Sequence, residues 1–369
     1  MSEKIQVSNI SSVDKNFVVP GIGNMEILFR NVSQEPFCVE GLPWAARNPM
    51  VFSRAHADFT EKNTNSGVMI LVNHTAGACV RFCSDSSVVV LRGKLACSFD
   101  MNHMPRTGSS GFDCYRKLSG QKLIFHKSYG PETGIVEFKT LIGENKERKM
   151  YDWQINFPLY GGVEFLEIGL TPDARLAAPA AHAIAKPILF YGSSITQGGC
   201  ASRPGNCYPA MLCRSLDAPQ INLGFSGSAQ GEDIVAQAIR HLDMSVMVYD
   251  YDHNAPSIEH LARTHERFFR IIREAQELLP VVMISRCDYD SNPELSSQRR
   301  EIIRTTWQNA VKQGDKHVYF IDGETLFGSS MRDSCTVDGC HPNDLGFYRM
   351  YEHILPVVQQ ALQEDERTK

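Results

Sequence analysis

Ile188-Leu189-Phe190-Tyr191-Gly192-Ser193-Ser194-Ile195-Thr196 is the stretch on which the fold turns. Four consecutive apolar residues do not suit a strand with one wet face; a run apolar on both faces suits a parallel sheet covered by helices. The small residues after it end the strand in a tight turn. The same unit recurs toward the C-terminus, with apolar strands at Ile221–Leu223, Val246–Tyr249, Val281–Ile284 and Val318–Ile321. Between them the period changes to that of amphipathic helices. Leu261, Phe268, Ile271, Ile272, Ala275 and Leu278 share one face after Ser257, a cap-like residue. Ile302, Ile303, Trp307, Ala310 and Val311 share another, and Leu345, Tyr348, Tyr351, Leu355, Val358 and Leu362 a third. Five βα units predict a three-layer, flavodoxin-like α/β domain, which binds ligands at the carboxyl ends of its strands.

Working back toward the N-terminus, the pattern changes. Short β-prone runs (Val68–Val72, Cys79–Cys83, Ser87–Leu91, Leu123–His126, Ile135–Leu141, Val163–Leu170) alternate with Gly, Asn, Ser and Pro clusters, which predicts an all-β jelly roll or sandwich. An Ala- and Pro-rich stretch separates the halves. The expected organisation is therefore a β domain over 1–175, a linker over 176–186 and the α/β domain over 187–369. The length of 369 residues agrees with two domains at roughly 150 residues each.

The net charge of −5 leaves no excess positive field for a phosphate backbone, so no nucleic-acid partner is expected. No uncharged apolar run approaches the ~18 residues of a spanning helix, and Met1–Gln6 has no apolar signal core behind its lysine, so the expectation is a cytoplasmic protein without a membrane partner. Eleven cysteines in a long chain of this kind are read as mostly buried thiols. Their spacings, and His265-Glu266 without a second histidine, do not make a zinc site; neither metal nor cofactor is expected.

Ser194 stands where a tight strand-to-helix turn lifts a hydroxyl over the sheet edge, beside helix-terminal amides able to hold an oxyanion. It is the candidate nucleophile, although a capped turn would look the same in isolation. Asp338-Gly339-Cys340-His341-Pro342 supplies what such a serine needs: an imidazole to take its proton and a carboxylate to fix the imidazole's other nitrogen. Asn222-Leu223-Gly224-Phe225-Ser226-Gly227 places glycine amides just past the second strand, and Asp250-Tyr251-Asp252-His253-Asn254 places an asparagine amide past the third. Both are uncharged donors suited to a transient alkoxide. Asp250 and Asp252 are alternatives to Asp338 as the orienting acid, though ending the strand suits them better. Cys340 beside His341 is an alternative, thiol nucleophile, but packing is the preferred reading, because adjacent loop residues rarely point at each other. Arg203 is read as lying in a solvated loop.

In this order, serine, glycine, asparagine and Asp-x-x-His at strand tips of one sheet, the chain resembles the SGNH or GDSL hydrolases from about Ile188 to Val358. The resemblance implies Ser194 as nucleophile, His341 as general base and acid, Asp338 as its orienting acid, and an oxyanion hole from the amides of Ser194 and Gly227 and the side chain of Asn254. Ser193 replaces the Asp of Gly-Asp-Ser-Leu, and His253 and Ala255 replace the usual Gly and Asp around the asparagine. A second resemblance covers the first half: Gly111-Phe112-Asp113-Cys114-Tyr115 is similar to the Gly-x-Asp-Leu-Tyr motif of a β domain attached to such hydrolases, with Cys114 in place of Leu. From the residues alone, Asp113 and Tyr115 are read as stabilising a turn. The resemblance implies an esterase acting on a small-molecule acyl ester, an acetylated carbohydrate foremost, without cofactor. An acyltransferase with the same triad and a non-catalytic carbohydrate-binding protein are the alternatives.

Overall fold

A computed structural model describes residues 25–47, 49–98 and 100–367, with 14 and 23. The opening stretch Met1–Gln6 lies outside the described residues. The first half forms two antiparallel sheets. One has the order β1 (Leu28–Asn31), β9 (Val163–Leu170), β4 (Val88–Leu95), β7 (Glu137–Glu144). The other runs β10 (Leu176–Ala177), β3 (Cys79–Ser84), β8 (Tyr151–Asn156), β5 (Phe112–Lys117), β6 (Ile124–Tyr129), with β2 (Cys38–Glu40) also on β3. Val89, Leu91, Leu166 and Ile168 of the first sheet pack on Val80, Phe82, Trp153 and Ile155 of the second in one core, the alternation that makes a sandwich.

Val68–Val72, read as a β-prone run, is instead mostly helix: α1 spans Ser66–Leu71. Asn65 accepts a hydrogen bond from the Val68 amide and starts the turn, and Val68 and Leu71 go inward while Ile70 is 61% exposed. Leu176–Ala177, within the expected linker, pair with Ser84 and Cys83. Further along that stretch, His182 lies 2.9 Å from both Glu40 of the sandwich and Asp217 of the second half.

The second half is a parallel sheet of order β12 (Gln220–Gly224), β11 (Ile188–Gly192), β13 (Val246–Asp250), β14 (Val281–Ile284), β15 (Val318–Ile321), the 2-1-3-4-5 order of flavodoxin-like folds. Successive residues of β11 serve opposite faces. Leu189 and Tyr191 meet α5 (Asp233–Ile239), α6 (Ile258–Ala275) and α7 (Pro293–Lys312); Ile188 and Phe190 meet α4 (Tyr208–Leu216) and α8 (Asp344–Arg367). The first α6 turn is capped by Ser257, as its sequence predicts, but the helix ends at Ala275 and leaves Leu278 exposed. In α8 the buried stripe is Phe347, Met350, Ile354, Val358 and Ala361, while Leu345 and Tyr348, placed on the inner face by their apolarity, face outward. All eleven cysteines are free and seven are buried. Among the described residues no helix is long and apolar enough to cross a membrane.

Candidate active site

The β11 strand ends at Gly192, and Ser194 opens the single-turn helix α3 (Ser194–Gln197). Ser193 caps it by accepting from the Ile195 amide, and Gly198 closes it in the left-handed region. The backbone N–H groups of a first turn have no acceptor within the helix. Ser194 Oγ lies 2.9 Å from His341 Nε2, and His341 Nδ1 lies 2.7 Å from Asp338 Oδ2. Asp338 Oδ1 accepts the backbone N–H groups of His341 (2.7 Å) and Cys340 (3.0 Å), so one carboxylate both folds the loop and sets the ring. Burial pushes the Asp338 carboxyl up, but these amides and the imidazole outweigh it and hold it below the ordinary carboxylate value. Asn343 then starts α8, accepting from the Leu345 and Gly346 amides.

The glycine and asparagine loops are tied to each other. Asn254 donates from Nδ2 to the Phe225 carbonyl (2.9 Å), and the Phe225 amide donates to Gly192 (2.9 Å). Gly227 has φ +67, with open space where a Cβ would stand, a backbone conformation that few other residues adopt. The Ser226 amide donates to Gln197 Oε1 (3.0 Å), joining this loop to the serine's own helix. Asp250 accepts from Thr196 and Tyr208 (3.0 Å each), and Asp252 from Arg299 and the Arg286 amide. Their hydrogen bonds thus serve the strand end and its loop, while Asp338 takes His341.

The sandwich reaches this edge. His103 Nε2 stands 3.8 Å from Asp338 Oδ2, with its ring 6.0 Å from that of His341. Thr107 donates to the Ser202 carbonyl (2.6 Å). Arg203, expected in a solvated loop, is instead gripped across the domains: it donates to Asp113 Oδ2 (2.8 Å) and to the Tyr115 hydroxyl, and packs over the Phe125 ring. Asp113 also accepts the Gly205 amide (2.8 Å). The turn that Asp113 and Tyr115 hold belongs to the other domain.

Residues 185–359 match the GDSL-like lipase/acylhydrolase family, and residues 27–176 match the GxDLY family, the N-terminus of SGNH-hydrolase-type esterases. The chain carries a GDSL-like hydrolase domain behind a GxDLY domain. It is accordingly a carboxylic ester hydrolase. Similar solved structures include a protein described as a GDSL-like lipase from Bacteroides ovatus, 27% identical, TM-score 0.81, covering 92% of this chain and 98% of that one. The salicylyl-acyltransferase SsfX3 from a tetracycline biosynthetic pathway is 17% identical, with TM-score 0.74 and coverage of 91% and 98%. The acetyl xylan esterase Est2A from Butyrivibrio proteoclasticus is 12% identical, with TM-score 0.58 and coverage of 91% and 99%. No curated protein matches the chain.

In this hydrolase the site also depends on residues that carry no motif. Arg54, fully buried, donates to the carbonyls of Asn222 and Gly224 (2.9 Å each) and Leu71 (2.7 Å), bracing the end of β12 from the sandwich side. Burial pushes its guanidinium down to about 9. Gln197 holds both the Leu159 carbonyl and the glycine loop. An arginine in a loop, or a glutamine in a single-turn helix, gives no signal of such a role.

Proposed function

We propose that this GDSL-like hydrolase is a serine esterase that releases small acyl groups, acetyl foremost, from carbohydrate through an acyl-enzyme on Ser194. The observation that carries the reading is the unbroken chain of short contacts from Asp338 through His341 to Ser194. Ser194 Oγ attacks the ester carbonyl while His341 Nε2 takes its proton; Asp338 keeps the other nitrogen protonated and the ring in place. The oxyanion is received by the amides of Ser194 and Gly227 and by Asn254, one of whose two amide hydrogens is committed to Phe225 and positions the other. His341 then returns the proton to the leaving alcohol, and water, activated the same way, releases the acid. The likeness to an acetyl xylan esterase supports the sugar ester as substrate.

The test compares acetylated oligosaccharides with longer acyl esters, with Ser194→Ala and Asn254→Ala as variants. Ser194→Ala should abolish turnover, and Asn254→Ala should lower kcat roughly 10²–10³-fold. A Ser194→Ala protein hydrolysing acetyl esters at the parent rate refutes the reading. An acyltransferase would use the same three side chains, so products are also analysed with an added sugar acceptor.

A further inference from the structure

Cys340 belongs to a second cluster beside the serine site. Its sulfur, a carboxylate oxygen of Asp288 and a ring nitrogen of His253 lie within 4.8 Å of one another. His253 has only 8% of its side chain exposed. Its Nε2 lies 2.8 Å from Asp288 Oδ1, while its Nδ1 is buried without a hydrogen-bond partner among the described residues. Arg286 also donates to both oxygens of Asp288. Burial pushes the His253 imidazole down, but Asp288 and Cys340 more than reverse this and raise it to about 10. A ring protonated on both nitrogens then carries an N–H on Nδ1 that Asp288 does not serve. Two cations, His253 and Arg286, share the single carboxylate of Asp288, which lies beside the Cys340 sulfur.

Cys340 is only half-buried, as are Cys38, Cys83 and Cys97. Two of those have acidic neighbours, as Cys340 has in Asp288. Burial and then Glu40 push the Cys38 thiol up, and burial and then Asp152 push Cys83 up to about 11. Reactive cysteines sit in electropositive, partly exposed surroundings.

We propose that Cys340 is a second nucleophile of this protein, a thiol paired with the His253 imidazole that hydroperoxides and haloacetamides modify, and that its modification switches off the serine site. With a hydroperoxide, the sulfur attacks the terminal oxygen, an S–O bond forms and the O–O bond breaks. The sulfur is oxidised by two electrons to the sulfenic acid. The peroxide's other oxygen leaves with the electrons of the O–O bond, takes a proton from His253 and departs as the alcohol, or water, and the thiol's own proton replaces it on the imidazole. The switch follows from position: the Cys340 amide is one of two backbone donors on Asp338, and His341 is the next residue. That second half rests on the serine-esterase reading; the reactivity of Cys340 does not.

The full-length protein is treated with limiting iodoacetamide, and the labelled cysteines are followed by peptide mass spectrometry. Cys340 should label at least about tenfold faster than Cys97 in the same molecule, and His253→Gln should remove that advantage. Equal rates for the two thiols, or an unchanged advantage in His253→Gln, overturn the proposal. Hydrogen peroxide should lower esterase activity in step with dimedone-trapped sulfenic acid at Cys340, reversibly by dithiothreitol. In Cys340→Ala, measured against its own untreated rate, that loss should be absent. Rapid labelling of Cys340 with full retention of activity overturns the switch. Fluorophosphonate labelling of Ser194 in untreated protein reports separately on the esterase reading.

Discussion

Arg203 Nη1 lies 2.8 Å from Asp113 Oδ2, joining a fully buried strand residue of the sandwich to the loop that follows Ser194. Burial raises the Asp113 carboxyl and Arg203 opposes it, so the pair is a contact in which each side chain supports a charge the other needs. Asn156 and the Gly205 amide complete the carboxylate's partners. The domains are thereby held in register at the edge of the site.

Arg203→Ala should destabilise the protein by about 3–5 kcal/mol, because it leaves a buried carboxylate without its cation. Asp113→Ala should cost a similar amount, and the double variant much less than the sum. Urea midpoints of the three proteins give the answer; strict additivity would show that the pair is uncoupled.

Asp338→Asn should lower kcat about 10³–10⁴-fold, since an amide beside His341 Nδ1 favours the wrong tautomer. The Asp338 carboxyl is held below its ordinary value, so its support is present above the ordinary carboxylate range and lost only as pH falls through the depressed value. Steady-state kinetics of the variant across pH, with circular dichroism as a check on folding, measure the effect.

Arg54→Leu removes the donor from three carbonyls, those of Leu71, Asn222 and Gly224. At roughly 1–3 kcal/mol for each unsatisfied group, a loss of about 3 kcal/mol or more is expected. Because β12 leads into the Gly227 loop, kcat should fall as well. A variant with parent Tm and parent kcat would show that water or a neighbour replaces the guanidinium.

His253 is raised to about 10, above its ordinary value. A base raised in the folded state contributes stability that is fully present below about 6.5 and is lost as pH rises through about 10. Unfolding free energy should therefore decline over that window in the parent protein. His253→Gln should flatten the decline, and an identical slope in both would remove His253 as its source.

Much of the α/β half was legible because a two-sided apolar strand and a helical stripe are local patterns. The phase of α8 was harder to read. Leu345 and Tyr348 are apolar enough to pass for core, and only the sheet beneath shows that Phe347 and Met350 face it. Val68–Val72 is β-branched at several positions, yet the Asn65 cap and two inward contacts make most of it helical. Ser194, Asp338 and His341 were readable as candidates because the chemistry restricts which residue types can serve.

The order of strands, helices and reactive residues follows from the chain itself, through hydrophobic period and the narrow chemistry of nucleophile, base and acid. Tertiary structure alone decided which side chains from remote segments meet. It put Arg203 on Asp113, Arg54 under the β12 carbonyls, and His103 and the His253–Cys340 cluster beside the triad. Such pairings depend on how two separately patterned domains pack, and a contact between residues far apart in sequence leaves no periodic trace in either segment.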